Sequence, residues 1–289
     1  MLVLVGGHES SDGADLAAYA LGRPDIRTCP TGRPLYRALC ERLMATPPSA
    51  GPVCVVPMTL GRDLELVADT ARTVAGQAPG RVVLARPFGT TEHLVGWLRA
   101  AARRVALDPD DAVLITARPG GPNPDAELSR VARLVRQYGR RRLVETAYPG
   151  GDPDLAEGLD RCRRLGATRI ALLSAGFAAA VPPSGAADVV TAGPLLGPAA
   201  VHSVLAARQA AALYAHGTHG DDGIAAGLAA AGHGHSHADD EHHQDHAYHE
   251  HHEHHEDAEH HEDHEHHEDH KHPDPTRHRA HTHAQTHAH

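Results

Sequence analysis

The chain has 289 residues and a formal net charge of −10, but histidine and charge divide it into two unlike stretches. Only His8, His93 and His202 precede residue 216, leaving 25 of the 28 histidines from 216 onward; up to 215 there are 24 Arg against 20 acidic residues, about +4, and from 216 on 3 basic against 17 acidic, about −14. A mildly basic first part argues against a nucleic-acid protein, four cysteines without a Cys-x-x-Cys pair give no zinc-finger or iron–sulfur framework, and no apolar run approaches the roughly 20 residues of a membrane span.

Short apolar runs come first in chain order. Leu2–Val5, Val53–Val56, Val82–Ala85, Val113–Thr116, Leu143–Thr146 and Ile170–Leu173 are nearly continuous Val, Leu, Ile and Ala, the composition of strands covered on both faces. Amphipathic stretches lie between them. Thr90 or Thr91 opens a helix whose stripe is Leu94, Trp97, Leu98, Ala101 and Val105. Asn123 caps another, with Pro124 at its first position and Leu128, Val131, Leu134, Val135 and Tyr138 on one face. Asp152-Pro153-Asp154 opens a third, with Leu155, Leu159, Cys162 and Leu165 facing inward and Gly166 ending it. This alternation predicts an α/β fold with parallel sheets between helices.

The order also runs twice. Leu2–Val5 with its polar loop matches Val113–Thr116, Val53–Leu60 matches Ile170–Phe177, and Arg86-Pro87-Phe88-Gly89 matches Gly193-Pro194-Leu195-Leu196. Two tandem Rossmann-like halves are therefore expected, residues 1–108 and 109–215. Residues 216–289 form the third region. Their composition collapses to His, Glu, Asp, Ala and Gly, which cannot bury a core, so this tail is expected to be disordered.

Chemistry is expected where strands end, since open parallel sheets bind ligands at their carboxyl edge. The first strand runs into Gly6-Gly7-His8-Glu9-Ser10. His8 there can ligate a metal or take a proton near neutral pH, with Glu9 beside it as a second catalytic candidate and Ser10 as a substrate contact. Arg62, Arg86 and Arg118 each follow a strand, and all three are expected to face one crevice and capture carboxylates. No Gly-x-x-x-x-Gly-Lys-Ser/Thr loop and no Gly-x-Gly-x-x-Gly turn is present, so no nucleotide is expected.

The tail reads as a metal binder. His233, His235 and His237 alternate with small residues. His242, His243, His251, His252, His254, His255, His260, His261, His266 and His267 are paired among carboxylates. Imidazole suits nickel, cobalt, copper and zinc.

At the Gly7-His8-Glu9-Ser10 turn the chain resembles the sirohydrochlorin chelatases, including the cobaltochelatase of cobalamin synthesis, whose first strand ends in Gly-His-Gly-Ser. Val55-Val56-Pro57-Met58-Thr59-Leu60 is similar to their Val-Val-Pro-Leu-Phe-Leu strand. Asp154–Ile170 is similar to a stretch of their second half ending in Arg-Leu-Gly-Ala-x-Arg-Val, and Arg86–Gly89 and Gly193–Gly197 to their Pro-Leu-Gly turns. Together these cover roughly residues 1–210. The resemblance implies two halves around a cleft, and insertion of a divalent metal (cobalt, iron or nickel) into a tetrapyrrole without a nucleotide. The family's active histidine falls on His8. Its second histidine follows the Pro-Leu-Phe-Leu strand, where this chain reads Thr59-Leu60-Gly61-Arg62-Asp63-Leu64-Glu65; Glu9 or Asp63 is then the candidate second ligand or base.

Two functions are expected from these readings. One is a metal chelatase (a lyase) with the tail as metal reservoir. The other is a nickel or cobalt store or chaperone on a degenerate chelatase fold. Either would be cytoplasmic, with metal ions and a tetrapyrrole as partners, and neither a nucleic acid nor a membrane.

Overall fold

In the computed structural model, residues 1–105, 108, 110–139 and 142–231 are described, all within one compact unit. The predicted strands are present, and each is buried nearly throughout except the one at Leu143–Ala147. In the first half, β1 (Leu2–Gly6), β2 (Ile26–Pro30), β3 (Val53–Met58) and β4 (Val82–Leu84) make a sheet in the order β2-β1-β3-β4. In the second, β5 (Ala112–Thr116), β6 (Leu143–Ala147), β7 (Ile170–Ser174) and β8 (Val189–Thr191) repeat it as β6-β5-β7-β8. Every pairing is parallel. The two-half α/β architecture expected from the repeated pattern is thus the fold of the protein, with strand order as well as strand sequence duplicated.

The helices are α1 (Ala17–Ala20), α2 (Arg33–Ala45), α3 (Leu64–Ala75), α4 (Thr91–Arg104), α5 (Pro122–Gly139), α6 (Leu155–Arg164), α7 (Pro198–His219) and α8 (Ile224–Ala229). Thr90 caps α4 and Asp154 caps α6 with side-chain oxygens. In α5 the helix begins at Pro122, ahead of the expected Asn123 cap. Tyr138 and Leu165, expected to face inward, are 56% and 51% exposed, and both sit at a C-terminal helix end.

The halves exchange helices. α4, from the first half, packs on α5 and β7 of the second; α7, from the second, packs on β3 and β4 of the first. Leu94, Leu98, Val201 and Leu205 join one core with Val56, Met58, Ile115 and Leu173. Reciprocal arginines fasten the exchange. Arg104 Nη2 at the end of α4 donates to Pro194 O at 2.8 Å, and Arg208 Nη2 in α7 donates to Phe88 O at 3.2 Å.

The folded part extends past the expected boundary at 215. α7 continues to His219, and α8 docks on α3 and β4. Leu84 N–H on edge strand β4 donates to Asp222 O at 2.8 Å. Gly223 and Gly227 permit this approach: a Cβ at either would stand 2.1 Å from Leu84 O and 2.5 Å from Leu84 Cδ2, respectively. The residue pattern of 216–231, small and mostly apolar, belongs to this docking. Residues 232–289, where disorder and metal-binding histidines are expected, lie outside the described residues.

Candidate active site

β1 and β3 are neighbours in register, with Gly6 opposite Met58, so the loops after them meet side by side at the carboxyl edge of the first sheet. The β1 loop turns at Gly7 into a short 3-10 turn, His8–Ser10. The β3 loop ends at Asp63, which caps α3 by accepting the Leu66 N–H at 2.9 Å. His8 Nδ1 lies 2.9 Å from Asp63 Oδ2. The contact needs both glycines around it. A Cβ on Gly7 would fall 2.3 Å from Asp63 Oδ2, and one on Gly120, from the turn after β5, would fall 2.5 Å from His8 Nε2. Nε2 is buried and has no hydrogen-bond partner. Burial alone would raise the Asp63 pKa, but the hydrogen bond and charge of His8 and the Leu66 N–H outweigh it, and the carboxyl is held below its ordinary value.

Glu9 points the other way, into the protein. Its Oε2 accepts from the Thr59 hydroxyl and from Leu60 N–H at 2.9 Å, and Oε1 lies 3.3 Å from Arg62 Nε, both side chains being fully buried. Burial pushes the Glu9 carboxyl above its ordinary value, against the opposing pull of Arg62 and Thr59. Arg62 in turn donates through Nη1 to Pro124 O at 3.4 Å, in the first turn of α5. Ser10 is buried and donates to Gly7 O at 3.2 Å. Glu9 and Ser10 therefore brace the turn that carries His8.

A cleft of about 840 Å³ opens in front of His8 and Asp63, within the roughly 300–1,000 Å³ range of small-molecule sites. Thr59 and Arg62 line it from the loop after β3, Glu65 from the first turn of α3, Glu92 from α4, Gly120, Pro124, Glu127 and Arg130 from the second half, and Ala231 from just beyond α8. Its cations are already paired: Arg62 with Glu9, and Arg130 bidentately with Glu127 at 2.8 Å through both nitrogens.

Of the three arginines expected to share the crevice, only Arg62 lines it. Arg86 is exposed outside it, close enough to depress Arg208 once burial has lowered that residue's pKa. Arg118 is 60% exposed, 4.0 Å from Asp15. Both arginines lie in the loops beyond β4 and β5, where the path of the loop and not the strand's alternation sets the side chain's direction, and other loop residues do the lining: Pro87 after Arg86, and Gly120 two places after Arg118. The tail histidines, from His233 to His267, lie outside the described residues. Among the described residues no group of three or more His, Cys, Asp or Glu is arranged to hold a metal ion, and no helix is long and apolar enough to cross a membrane. Thr59, Glu127 and Arg130 were not singled out in the sequence. Glu127 and Arg130 form an i, i+3 pair, a spacing common on helix surfaces that marks no site.

No family model matches the chain. A sirohydrochlorin cobaltochelatase of Priestia megaterium is 30% identical to it over 98 residues, 32% of this chain. The chain resembles the sirohydrochlorin chelatases. It spans about a third of that relative's length, 32%. Among solved structures, the sirohydrochlorin chelatase of Bacillus subtilis subspecies spizizenii in complex with cobalt superposes with a TM-score of 0.45 and 15% identity, over 75% of this chain and 96% of that one. A multi-domain protein of Deinococcus radiodurans with structural similarity to chelatases gives 0.44 and 22%, over 72% and 54%. Against the chelatase pattern, this chain keeps the first-strand histidine, and Asp63 stands beside it in the stretch where that pattern has its second histidine.

Proposed function

We propose that this protein is a cytoplasmic metal chelatase that inserts cobalt, iron or nickel into sirohydrochlorin or a related tetrapyrrole, with the histidine-rich tail as its metal reservoir. The observation that carries the reading is His8, facing a cleft of suitable size with one ring nitrogen held by Asp63 and the other without a partner. Insertion removes the two inner N–H protons, which balance the charge of the divalent metal, and seats the metal on all four ring nitrogens. It needs a group that takes a proton near neutral pH and a ligand that binds the metal only in passing. A neutral imidazole nitrogen meets both needs. The similarity to the Priestia cobaltochelatase supports the substrate class.

One observation favours the second reading, a nickel or cobalt store or chaperone. Both cleft arginines are engaged by glutamates, so the cleft offers a polycarboxylate no free guanidinium among the described residues. Anaerobic metallation of sirohydrochlorin by the purified full chain, followed by absorbance with Co²⁺, Ni²⁺ and Fe²⁺ in turn, separates the two. A chelatase accelerates insertion with at least one metal, and His8→Ala lowers that rate by roughly 10²–10⁴-fold. A store takes up metal while leaving the tetrapyrrole at its spontaneous rate.

A further inference from the structure

We infer that Asp63 is a positioning residue for His8: it fixes the ring so that Nδ1 carries the proton and Nε2 is the acting nitrogen. A helix-capping aspartate is ordinarily only that, and Asp63 Oδ1 does the capping, accepting from Leu66 N–H at 2.9 Å. Its second oxygen is what exceeds the ordinary role, standing 2.9 Å from His8 Nδ1. With Oδ1 tied to the helix backbone the carboxylate cannot swing, so the ring is referenced to α3 rather than to a loop. The two loops are closed into a circuit. Asp63 N–H donates to Thr59 Oγ1 at 3.2 Å, and the Thr59 hydroxyl donates to the carboxylate of Glu9, the residue after His8.

A carboxylate only accepts, so the nitrogen facing it must be the protonated one. A neutral His8 then keeps its lone pair on Nε2. That atom is buried without a partner against Gly120. A ligand or proton arriving at Nε2 gives this atom the partner it lacks. Carboxylates that orient a ligating or proton-accepting histidine in this way are worth roughly 10–100-fold in activity.

Asp63→Asn tests this with little change of shape. The asparagine Oδ1 retains the cap, while its NH₂ group faces Nδ1 and donates, which forces the neutral ring to carry its proton on Nε2. The full chain labelled with ¹⁵N-histidine is compared by long-range ring ¹H–¹⁵N spectra, with His8 assigned by subtraction of the His8→Ala spectrum. Wild type should show the Nδ1–H tautomer and Asp63→Asn the Nε2–H tautomer. In the Co²⁺–sirohydrochlorin assay, kcat should fall roughly 10–100-fold in Asp63→Asn with KM nearly unchanged. Asp63→Ser, which keeps a capping oxygen but cannot reach the ring, should give a tautomer mixture and an intermediate rate.

Only the rate measurement rests on the chelatase reading. If wild type does not metallate sirohydrochlorin and the tautomers still switch, that reading falls and the positioning stands. An Nε2–H tautomer in wild type, or an unswitched one in Asp63→Asn, overturns the positioning. A switched tautomer with an undiminished rate overturns the assignment of Nε2 as the acting atom.

Discussion

Glu9 and Arg62 form an ion pair, 3.3 Å between Oε1 and Nε, in which neither side chain reaches solvent. The pair sits directly behind His8, and Arg62 carries it across to Pro124 in the second half. Its energetics are those of a buried pair. Removing one partner leaves an uncompensated charge, whereas replacing both need not be costly.

Arg62→Ala should therefore destabilise the protein by about 3–5 kcal/mol, read from the denaturant midpoint. Arg62→Met combined with Glu9→Gln should recover much of that loss. An Arg62→Ala protein of unchanged midpoint would mean that the pair is not closed in solution.

Glu9 also makes a pH prediction. Its folded-state pKa lies above the ordinary 4.5, first because burial disfavours the charged form. A raised carboxyl contributes stability that is fully present below 4.5 and is lost as pH rises through the folded-state value. Glu9→Gln should flatten the stability profile in that window. Wild type and variant are compared by urea melts from acid pH upward, and parallel profiles would contradict the prediction.

Gly120 leaves no room for a side chain. Gly120→Ala places a methyl 2.5 Å from His8 Nε2 and 2.8 Å from Pro124 Cβ, so either the ring or the turn must move. Metallation should fall by at least about tenfold, one 1.4 kcal/mol step, while the tail's metal uptake, measured by equilibrium dialysis, stays as it was.

Truncation should have two different outcomes. A chain ending at 231 keeps α8 and should melt as the full chain does without metal, while losing most metal uptake. A chain ending at 216 loses the Asp222–Leu84 hydrogen bond and uncovers the surface on which Ile224 packs. It should lose about 1.5–3 kcal/mol, the scale of burying one large aliphatic side chain. Identical melting of the two truncated chains would show α8 to be undocked.

Thiol reactivity supplies a check on the core. Burial pushes Cys54 and Cys162 up to about 12 and Cys29 to about 11, so little thiolate exists at pH 8. Native alkylation followed by mass spectrometry should leave Cys54 and Cys162 unmodified until the protein is denatured.

The buried strands were legible because strands covered on both faces demand unbroken apolar runs. The missed strands, β2 and β8, are sheet edges: Ile26-Arg27-Thr28-Cys29-Pro30 is buried only at Ile26, and Val189–Thr191 only at Val189. Half-exposed edges tolerate polar residues, so no apolar run announces them. At the site, His8 stood out as a histidine on a glycine turn after a strand. Glu9 was legible as a neighbour but not as a buried one, because nothing local shows that Arg62, Thr59 and Leu60 would close around it. The direction of Arg86 and Arg118 depends on loop geometry that strand periodicity does not encode. α8 escaped notice because its Ala- and Gly-rich residues were grouped by composition with the histidine-rich stretch that follows; Gly223 and Gly227 are close-contact points against Leu84.

The helix exchange has a consequence for how the molecule exists at all. Residues 1–105 alone would present Leu94 and Leu98 of α4 with no β7 to cover them, while β3 and β4 would lack Val201 and Leu205 of α7. Neither half is a self-sufficient folding unit; topologically the chain is a helix-swapped dimer whose two subunits have been fused. Its core can close only after segments a hundred residues apart have met, a demand that lengthens folding as contact order rises. The same reciprocity makes any separation of the halves a global event, so His8 on one side and Gly120 on the other stay in register for as long as the protein is folded.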